Sequence, residues 1–448
     1  MSNVITRGDG RLTDQLRPIS FPRGFARYAD GPLLAICGAP LFTIIAASAM
    51  WGFYGEDVDL SIMAVELFRI AEMPILLAIP LFTFAGYLLS ESQAPSRLVA
   101  MTRALIGWMP GGLAVVALAA CALFTAFTGA SGVTIIALGA LLYPALLEDG
   151  YEGKFSLGLV TTSGSLGLLF APSLPLILYG IVAQQTSSGS SVSIDRLFFA
   201  GALPGILMVA MLSGWVIWRN RHLRTPLAAF SFEKLAVAAR ASIWDIPLPI
   251  IILGGIYGGF FAVSEAATVT AVYVLLVEVL ILREIKLRDL PDIVRKSMAL
   301  VGGIMIILGL SLASTTYMID AEVPQKLFAF VREHVSSQLG FLILLNLFLL
   351  VLGAILDIFS ALVLVVPLIL PVAVGFDVDP LHLGIIFLAN MQLGYLTPPV
   401  GLNLFISSYR FEQPITTIYR STIPFFVVLL LSVLIITYWP GLSLWLAN

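Results

Sequence analysis

The sequence predicts an all-α polytopic membrane protein with an inverted-topology repeat, two re-entrant helical hairpins and two broken helices. Three observations carry this reading. Of 448 residues, 59% are hydrophobic and only 11% charged, against roughly 25% charged in ordinary soluble domains. Several uncharged apolar runs also exceed the roughly 20 residues that cross a bilayer. Second, the membrane-length run at 163–180 (SGSLGLLFAPSLPLILYG) holds Pro172 and Pro175 at its middle. Two backbone donors are lost there and each ring clashes with the carbonyl four residues back, which works against one continuous helix. Third, the run has a copy. Leu166-Gly167 followed by Pro172-Ser173-Leu174 resembles Leu393-Gly394 followed by Pro398-Pro399-Val400, with Pro172 and Pro398 lying 226 positions apart. Leu157-Gly158 and Leu383-Gly384 are separated by the same 226, and Pro144 and Pro371 by 227. Three anchors at nearly one spacing mark an internal duplication.

In chain order, residues 1–30 carry Arg7, Arg11, Arg17, Arg23 and Arg27 without helical periodicity and read as a flexible or surface-lying basic tail. The run 31–53 is longer than a signal-peptide core and has no convincing cleavage site after it, so it reads as a retained first span. The first repeat, 31–218, continues with 73–91, a hairpin over 111–148, the broken helix 155–184 and a span at 196–218. A basic linker and one connecting span (246–262) occupy 219–265. The second repeat, 266–448, has spans at 266–282 and 293–317, a hairpin over 341–375, the broken helix 381–408 and a last span at 422–445. Both hairpin segments are too long for one ordinary span, and each holds a polar, small-residue tip, FTGASG or LDIFSA. Their length favours hairpins over helical pairs.

Charge bias orients the chain. The arginine-rich tail, Arg97 and Arg103, the segment from Arg219 to Arg240, and Arg283, Lys286 and Arg288 all fall on one side, which the positive-inside rule makes cytoplasmic. The N-terminus is then cytoplasmic and the C-terminus periplasmic. The two broken elements run in opposite directions, the arrangement from which secondary transporters commonly derive alternating access.

Each hairpin tip and each helix break leaves backbone groups without intrahelical partners at membrane depth. Carbonyls of 128–131, with the hydroxyls of Thr128 and Ser131 and with Ser163 or Ser165 nearby, can cage a small hard cation. The second half offers Asp357, Ser360, Thr397, Asn390 and Asn403. Asp357 is the most telling, since a carboxylate deep in an apolar hairpin costs several kcal/mol unless paired or coordinated. Na⁺ would compensate it; a helix-capping role is the plainer alternative. No Lys or Arg lies at 104–153 or 333–409. An anionic solute must therefore be held by helix N-termini, expected at Gly132, Ser173, Phe359 and Pro399.

Other classes find no support in the sequence. There is no basic patch for nucleic acid and no Walker-type phosphate loop for ATP hydrolysis. The three histidines form no zinc-protease pair, and Cys37 and Cys121 read as small buried hydrophobes. Gly111-Gly112, Gly254-Gly255 and Gly302-Gly303 read as packing positions. Most tryptophans fall near span ends, as interfacial anchors do.

The motifs IPLFTFAGYLL (79–89), FTGASG (127–132), GSLGLLFAPSLPLILYG (164–180) and DPLHLGIIFLANMQLGYLTPPVGLNLF (379–405) resemble the large membrane subunit of the tripartite ATP-independent periplasmic (TRAP) transporters, the DctM-type permeases. The resemblance covers roughly 31–445. It implies a bacterial inner-membrane protein of elevator-type ion-transporter architecture, in which Na⁺ as coupling ion and a small organic acid ride together. It also implies two partners, a small four-helix membrane subunit and a periplasmic substrate-binding protein, besides the lipid bilayer. Carried onto matching positions, Thr128, Gly129 and Ser131 with Pro172 and Ser173 would serve one Na⁺ site. Asp357 and Ser360 with Thr397 and Pro398 would serve the other. Gly132, Ser165, Pro175, Asn390, Pro399 and Asn403 become the candidate substrate residues. Two departures stand out: Gly-Val-Thr-Ile-Ile after Ser131 is more apolar than the small polar run expected, which would suit aromatic or branched acids, and the tail before residue 31 is longer. A binding-protein-independent Na⁺/carboxylate symporter and, from another class, a membrane-embedded enzyme are the alternatives.

Overall fold

A computed structural model describes residues 38–55, 58–109, 111–189, 192–222 and 231–447. The basic tail, Cys37 and the start of the first span lie outside these. The described residues form helices joined by short turns. Eight helices are long and apolar enough to cross a bilayer, and a ninth span arises if one bent pair is counted. Large apolar side chains such as Phe68, Ile343 and Leu347 stand on the outside, as a surface solvated by lipid requires.

The first half runs α1 (Leu41–Gly55), α2 (Ser61–Ala71), α3 (Ala78–Glu91), α4 (Ala94–Ile106), α5 (Gly112–Thr128), α6 (Ser131–Glu148), α7 (Gly153–Ser163), α8 (Leu174–Gln184) and α9 (Ile194–Arg219). Then come α10 (Phe232–Ala241) and α11 (Pro247–Tyr257). The second half runs α12 (Val263–Leu275, extended by a π turn to Ile281), α13 (Leu290–Asp320), α14 (Val323–His334), α15 (Gln338–Ile355), α16 (Ile358–Gly375), α17 (Pro380–Gly394), α18 (Leu402–Arg410), α19 (Ile415–Tyr438) and the short α20 (Gly441–Leu444). Spans at 73–91, 196–218, 266–282 and 293–317 fall on α3, α9, α12 and α13. The connecting span expected over 246–262 is helical only over Pro247–Tyr257.

Four helices were not expected: α2, α4, α10 and α14. Each is amphipathic and carries charged residues, so hydropathy alone reads them as loops. α4 and α14 hold equivalent places, each directly before a hairpin.

Both hairpins fold back on themselves. On a straight helix, residues nine apart lie roughly 13 Å apart along the axis, yet Thr125 Oγ1 and Thr134 Oγ1 are 2.7 Å apart across the turn between α5 and α6. At the open end of that pair, Tyr151 OH donates to the Gly111 carbonyl at 2.6 Å. The second pair closes at the equivalent place: Gln338 Nε2 donates to the Asp377 carbonyl at 2.9 Å, and the Phe341 and Phe376 rings stack at 4.7 Å. Tyr151 and Asp377 are 226 positions apart, Gly111 and Gln338 227, so the two closures match in the repeat. The arms are longer than a re-entrant hairpin requires. The arms have 17, 18, 18 and 18 residues, or roughly 26 Å each at 1.5 Å per residue, which is close to a full crossing.

Candidate functional site

Each hairpin tip meets one helix break. In the first half, Gly129 ends α5 in the left-handed region at φ 66°. A Cβ there would stand 2.5 Å from Leu174, so glycine both makes the turn and lets the tip lie against the start of α8. Thr125 Oγ1 also lies 2.9 Å from the Gly164 carbonyl oxygen, tying the hairpin to the end of α7. A Cβ on Gly167 would overlap the Ala122 carbonyl oxygen. The broken element departs from a helix as its prolines dictate: α7 gives way to a 3₁₀ turn at Leu166–Leu169, and the axis bends by 43° before α8. Pro172 sits in the break, which contains a cis Ala171-Pro172 bond, and Pro175 in the first turn of α8. Ser165 donates to the Thr162 carbonyl and Ser173 to the Leu168 carbonyl. Ser131, Ser165 and Ser173 are buried.

In the second half, Asp357 is the N-cap of α16. One carboxylate oxygen accepts from Phe359 N at 3.0 Å and Ser360 N at 3.1 Å, the other from Ser360 Oγ. The plainer capping role is thus filled; a carboxylate with roughly four lone-pair sites still has capacity for a cation. Tyr395 OH accepts from Ile358 N at 2.8 Å, and Val400 N and Gly401 N donate to the Ala354 carbonyl. Gly353 and Gly394 pack backbone to backbone. Thr397 donates to the Leu393 carbonyl at 3.1 Å. Unlike the first break, this one is open: Pro398, Pro399 and Val400 are exposed.

The two halves meet at α18, which packs on α6 and α7. Asn403 Nδ2 donates to the Thr161 carbonyl at 3.4 Å, and a Cβ on Gly132 would meet Ile406. Asn390 is placed elsewhere. Its Nδ2 donates to Asn346 Oδ1 at 2.7 Å, which also accepts from Thr437 Oγ1 at 3.0 Å. That tie joins α17 to α15 and α19 well away from the tips, because Asn346 lies 11 residues before Asp357 on α15. Asn390 therefore reads as interhelical glue.

The helix N-termini differ from expectation in one useful respect. α6, α8 and α18 begin at Ser131, Leu174 and Leu402, and no side chain caps any of them. α18 starts three residues after Pro399. α16 begins at Ile358 and already carries the Asp357 carboxylate. Three N-termini are left for an added anion, and the fourth is taken.

Several buried polar atoms on these elements have no protein partner among the described residues: Thr128 Oγ1, Thr162 Oγ1, Asn403 Oδ1, Ser407 Oγ and both polar atoms of Gln392. Buried polar groups are nearly always bonded, so this group marks where water or an ion belongs. Thr128 at the first tip fits a hard cation, with tip carbonyls beside it. Thr162, Gln392 and Ser407 were missed in the sequence, where each looks like an ordinary polar residue on an apolar helix.

Residues 32–442 match the model of the tripartite ATP-independent periplasmic transporter DctM component. The chain is 34% identical over 388 residues to the C4-dicarboxylate TRAP transporter large permease protein DctM of Pseudomonas aeruginosa, covering 86% of this chain and 89% of that one. To the ectoine/5-hydroxyectoine TRAP transporter large permease protein UehC of Ruegeria pomeroyi it is 29% identical over 420 residues, 93% of this chain and 96% of that one. The match to the isethionate TRAP transporter permease protein DctMQ of Oleidesulfovibrio alaskensis covers 92% of this chain but 62% of that protein, at 30% identity. Among solved structures, the Alcanivorax borkumensis YdaH transporter superposes with a TM-score of 0.62 over 86% of this chain and 88% of that one. At 14% identity that likeness concerns the fold alone. These sequence relatives are permease subunits, not enzymes, which removes the membrane-embedded enzyme.

Proposed function

The chain belongs to the DctM component family of the tripartite ATP-independent periplasmic transporters, and from that premise we propose that it is the Na⁺-coupled translocation subunit for a small organic acid. It is a multi-pass membrane protein. In this reading, a periplasmic binding protein delivers the solute and a small membrane subunit completes the scaffold. The longer DctMQ relative supports the second partner, since its extra length leaves room for a fused small subunit. The membrane is the bacterial inner membrane, with the N-terminus inside and the C-terminus in the periplasm.

The observation that carries the proposal is the pairing of each hairpin tip with a helix break. Oxygen-rich tips and uncapped helix N-termini lie side by side, and no Lys or Arg lies at 104–153 or 333–409. Thr128, Gly129 and Ser131 with Pro172 and Ser173 form the first Na⁺ site. Asp357, Ser360, Thr397 and Pro398 form the second. The bound cations supply the positive charge that the segments lack. The solute carboxylate then lies at the uncapped starts of α6, α8 and α18, near Gly132, Ser165, Pro175, Pro399 and Asn403. The hairpins are re-entrant and move together as the mobile part of an elevator. The relatives' names span C4-dicarboxylates, isethionate and ectoines, so the fold admits small polar solutes of differing charge; the apolar run after Ser131 favours a solute with a greasy end.

Uptake into proteoliposomes containing the complete system tests this. Solute should accumulate only with an inward Na⁺ gradient and with the binding protein present. Uptake without Na⁺ and without a binding protein would defeat the reading; uptake with Na⁺ alone would select the binding-protein-independent symporter.

A further inference from the structure

The helices that lead into the two hairpins are anchored differently. On α4, Arg97 is a four-way junction. Its Nε donates to Asp245 Oδ2 at 2.6 Å and its Nη2 to Glu278 Oε1 at 3.0 Å, while Nη1 pairs with Glu284. The ties extend to the backbone: Gln93 N donates to Glu284 Oε2 at 2.7 Å, and Ser242 Oγ to the Arg97 carbonyl at 3.4 Å. These partners lie 145 to 191 positions along the chain, just before α11 and at the end of α12. Glu278 is 1% exposed. Burial opposes the charge on Arg97, but the hydrogen bond to Asp245 and the three nearby carboxylates together hold its pKa above the ordinary value. A guanidinium is suited to this place because its fixed fork can meet several carboxylates at once, which an ammonium does less well.

Each of the two helices packs on an arm of its own hairpin, α4 on α5 and α14 on α16, but among the described residues no such junction ties α14 to other elements and no ion pair reaches it. Lys326 donates to the Ala321 carbonyl, and Arg332 lies over its own helix's Phe328. Phe328 in turn packs edge-on against Phe376 at 5.6 Å, at the end of the second hairpin, and a Cβ on Gly375 would strike its ring. The left-handed residues are likewise at opposite ends of the two helices. Gly111 (φ 87°) and Gly112 (φ 38°) follow α4, whereas Glu322 (φ 56°) precedes α14.

We infer that Arg97 is a positioning residue that clamps α4 to the static frame, so that the first hairpin turns at Gly111-Gly112, whereas α14 travels with the second hairpin and turns at Glu322. The clamp would set the turnover of transport without touching the solute. The inference rests on the chain being a transporter, and the experiment separates the two ideas.

In a background lacking Cys37 and Cys121, Arg97→Cys and Asp245→Cys are combined in the complete transporter, reconstituted in vesicles. Uptake is measured before and after tethering with a bismaleimide. The untethered pair should lose about tenfold or more in maximal rate, since α4 loses the buried ion pairs that hold it in place, with the half-saturating solute concentration unchanged. Tethering should restore most of the rate. Wild-type rates without the tether, or tethered transporter no faster than untethered, would overturn the clamp. A wild-type control that carries no solute would instead defeat the functional reading. Hydrogen exchange gives a second readout should the pair insert poorly: Arg97→Ala should speed exchange over 94–106 and leave 323–334 unchanged, and equal effects on both would also overturn the inference.

Discussion

The two helix breaks are copies of one sequence pattern, yet they sit in opposite surroundings. Around Pro172 and Ser173 the chain is buried, with the first hairpin tip pressed against it through Gly129 and Gly167. Around Pro398 and Pro399 it is exposed, although the second tip is bonded to the same break through Tyr395 and Ala354. Shared sequence therefore places a break, and the packing of neighbouring elements sets its access. A repeat whose halves differ in access in one conformation can exchange those roles in another, which is what alternating access requires.

The strongest test removes the most specific group of the open half. Asp357→Ala should abolish Na⁺-driven uptake while the protein still inserts; the lost cap also costs about 0.5–2 kcal/mol of helix stability. Normal uptake at both limiting and saturating Na⁺ would take Asp357 out of the site and erase the functional side of the comparison. Access itself can be read by thiol labelling. Val400→Cys should react with a membrane-impermeant maleimide at least about tenfold faster than Ser173→Cys, because opening of a packed element must precede reaction at the buried position. Equal rates would show that both breaks are open. Added Na⁺ should slow labelling at Val400→Cys.

Smaller effects sharpen the packing. Gly167→Ala should lower thermal stability by an amount equivalent to about 1–3 kcal/mol, the usual range for overpacking, since a Cβ there meets the Ala122 carbonyl and cannot displace a flexible side chain instead. Unchanged melting would mean that the first tip is not seated as described. Thr128→Val separates an ion ligand from an idle hydroxyl. Removing an unpartnered buried hydroxyl is nearly neutral or stabilising for the fold, so melting should hold or rise, while the Na⁺ concentration for half-maximal uptake should increase severalfold. An unchanged Na⁺ dependence would assign the Thr128 hydroxyl no ion.

Much of the fold was legible because membrane burial forces its signals into the sequence. The spans show as apolar runs, the breaks as paired prolines and the duplication as a constant spacing, which the closures at Tyr151 and Gln338 repeat. What was hidden depends on side-chain surroundings. α2, α4, α10 and α14 are amphipathic and fail a hydropathy test. Arg97 counts as one more cytoplasmic charge until Asp245, Glu278 and Glu284 are brought around it. Asn390 and Asn403 look alike in sequence; only packing shows that the first ties helices together and the second reaches across to α7. The tips were found from small polar residues, but Thr162, Gln392 and Ser407 carry no local mark, since an unpartnered atom is defined by what surrounds it.

The hydrogen bonds that close each hairpin at its open end have a mechanical consequence. With Tyr151 on Gly111 at one end and Thr125 on Thr134 near the other, the arms of the first pair cannot splay independently, so the pair behaves as a beam roughly 25 Å long. Turned by about 10° at its foot, a beam of that length carries its tip sideways by roughly 4 Å, more than the diameter of a water molecule. A small rotation at Gly111-Gly112, the joint inferred above, would thus be geared up into a displacement large enough to uncover or seal an ion held at the tip.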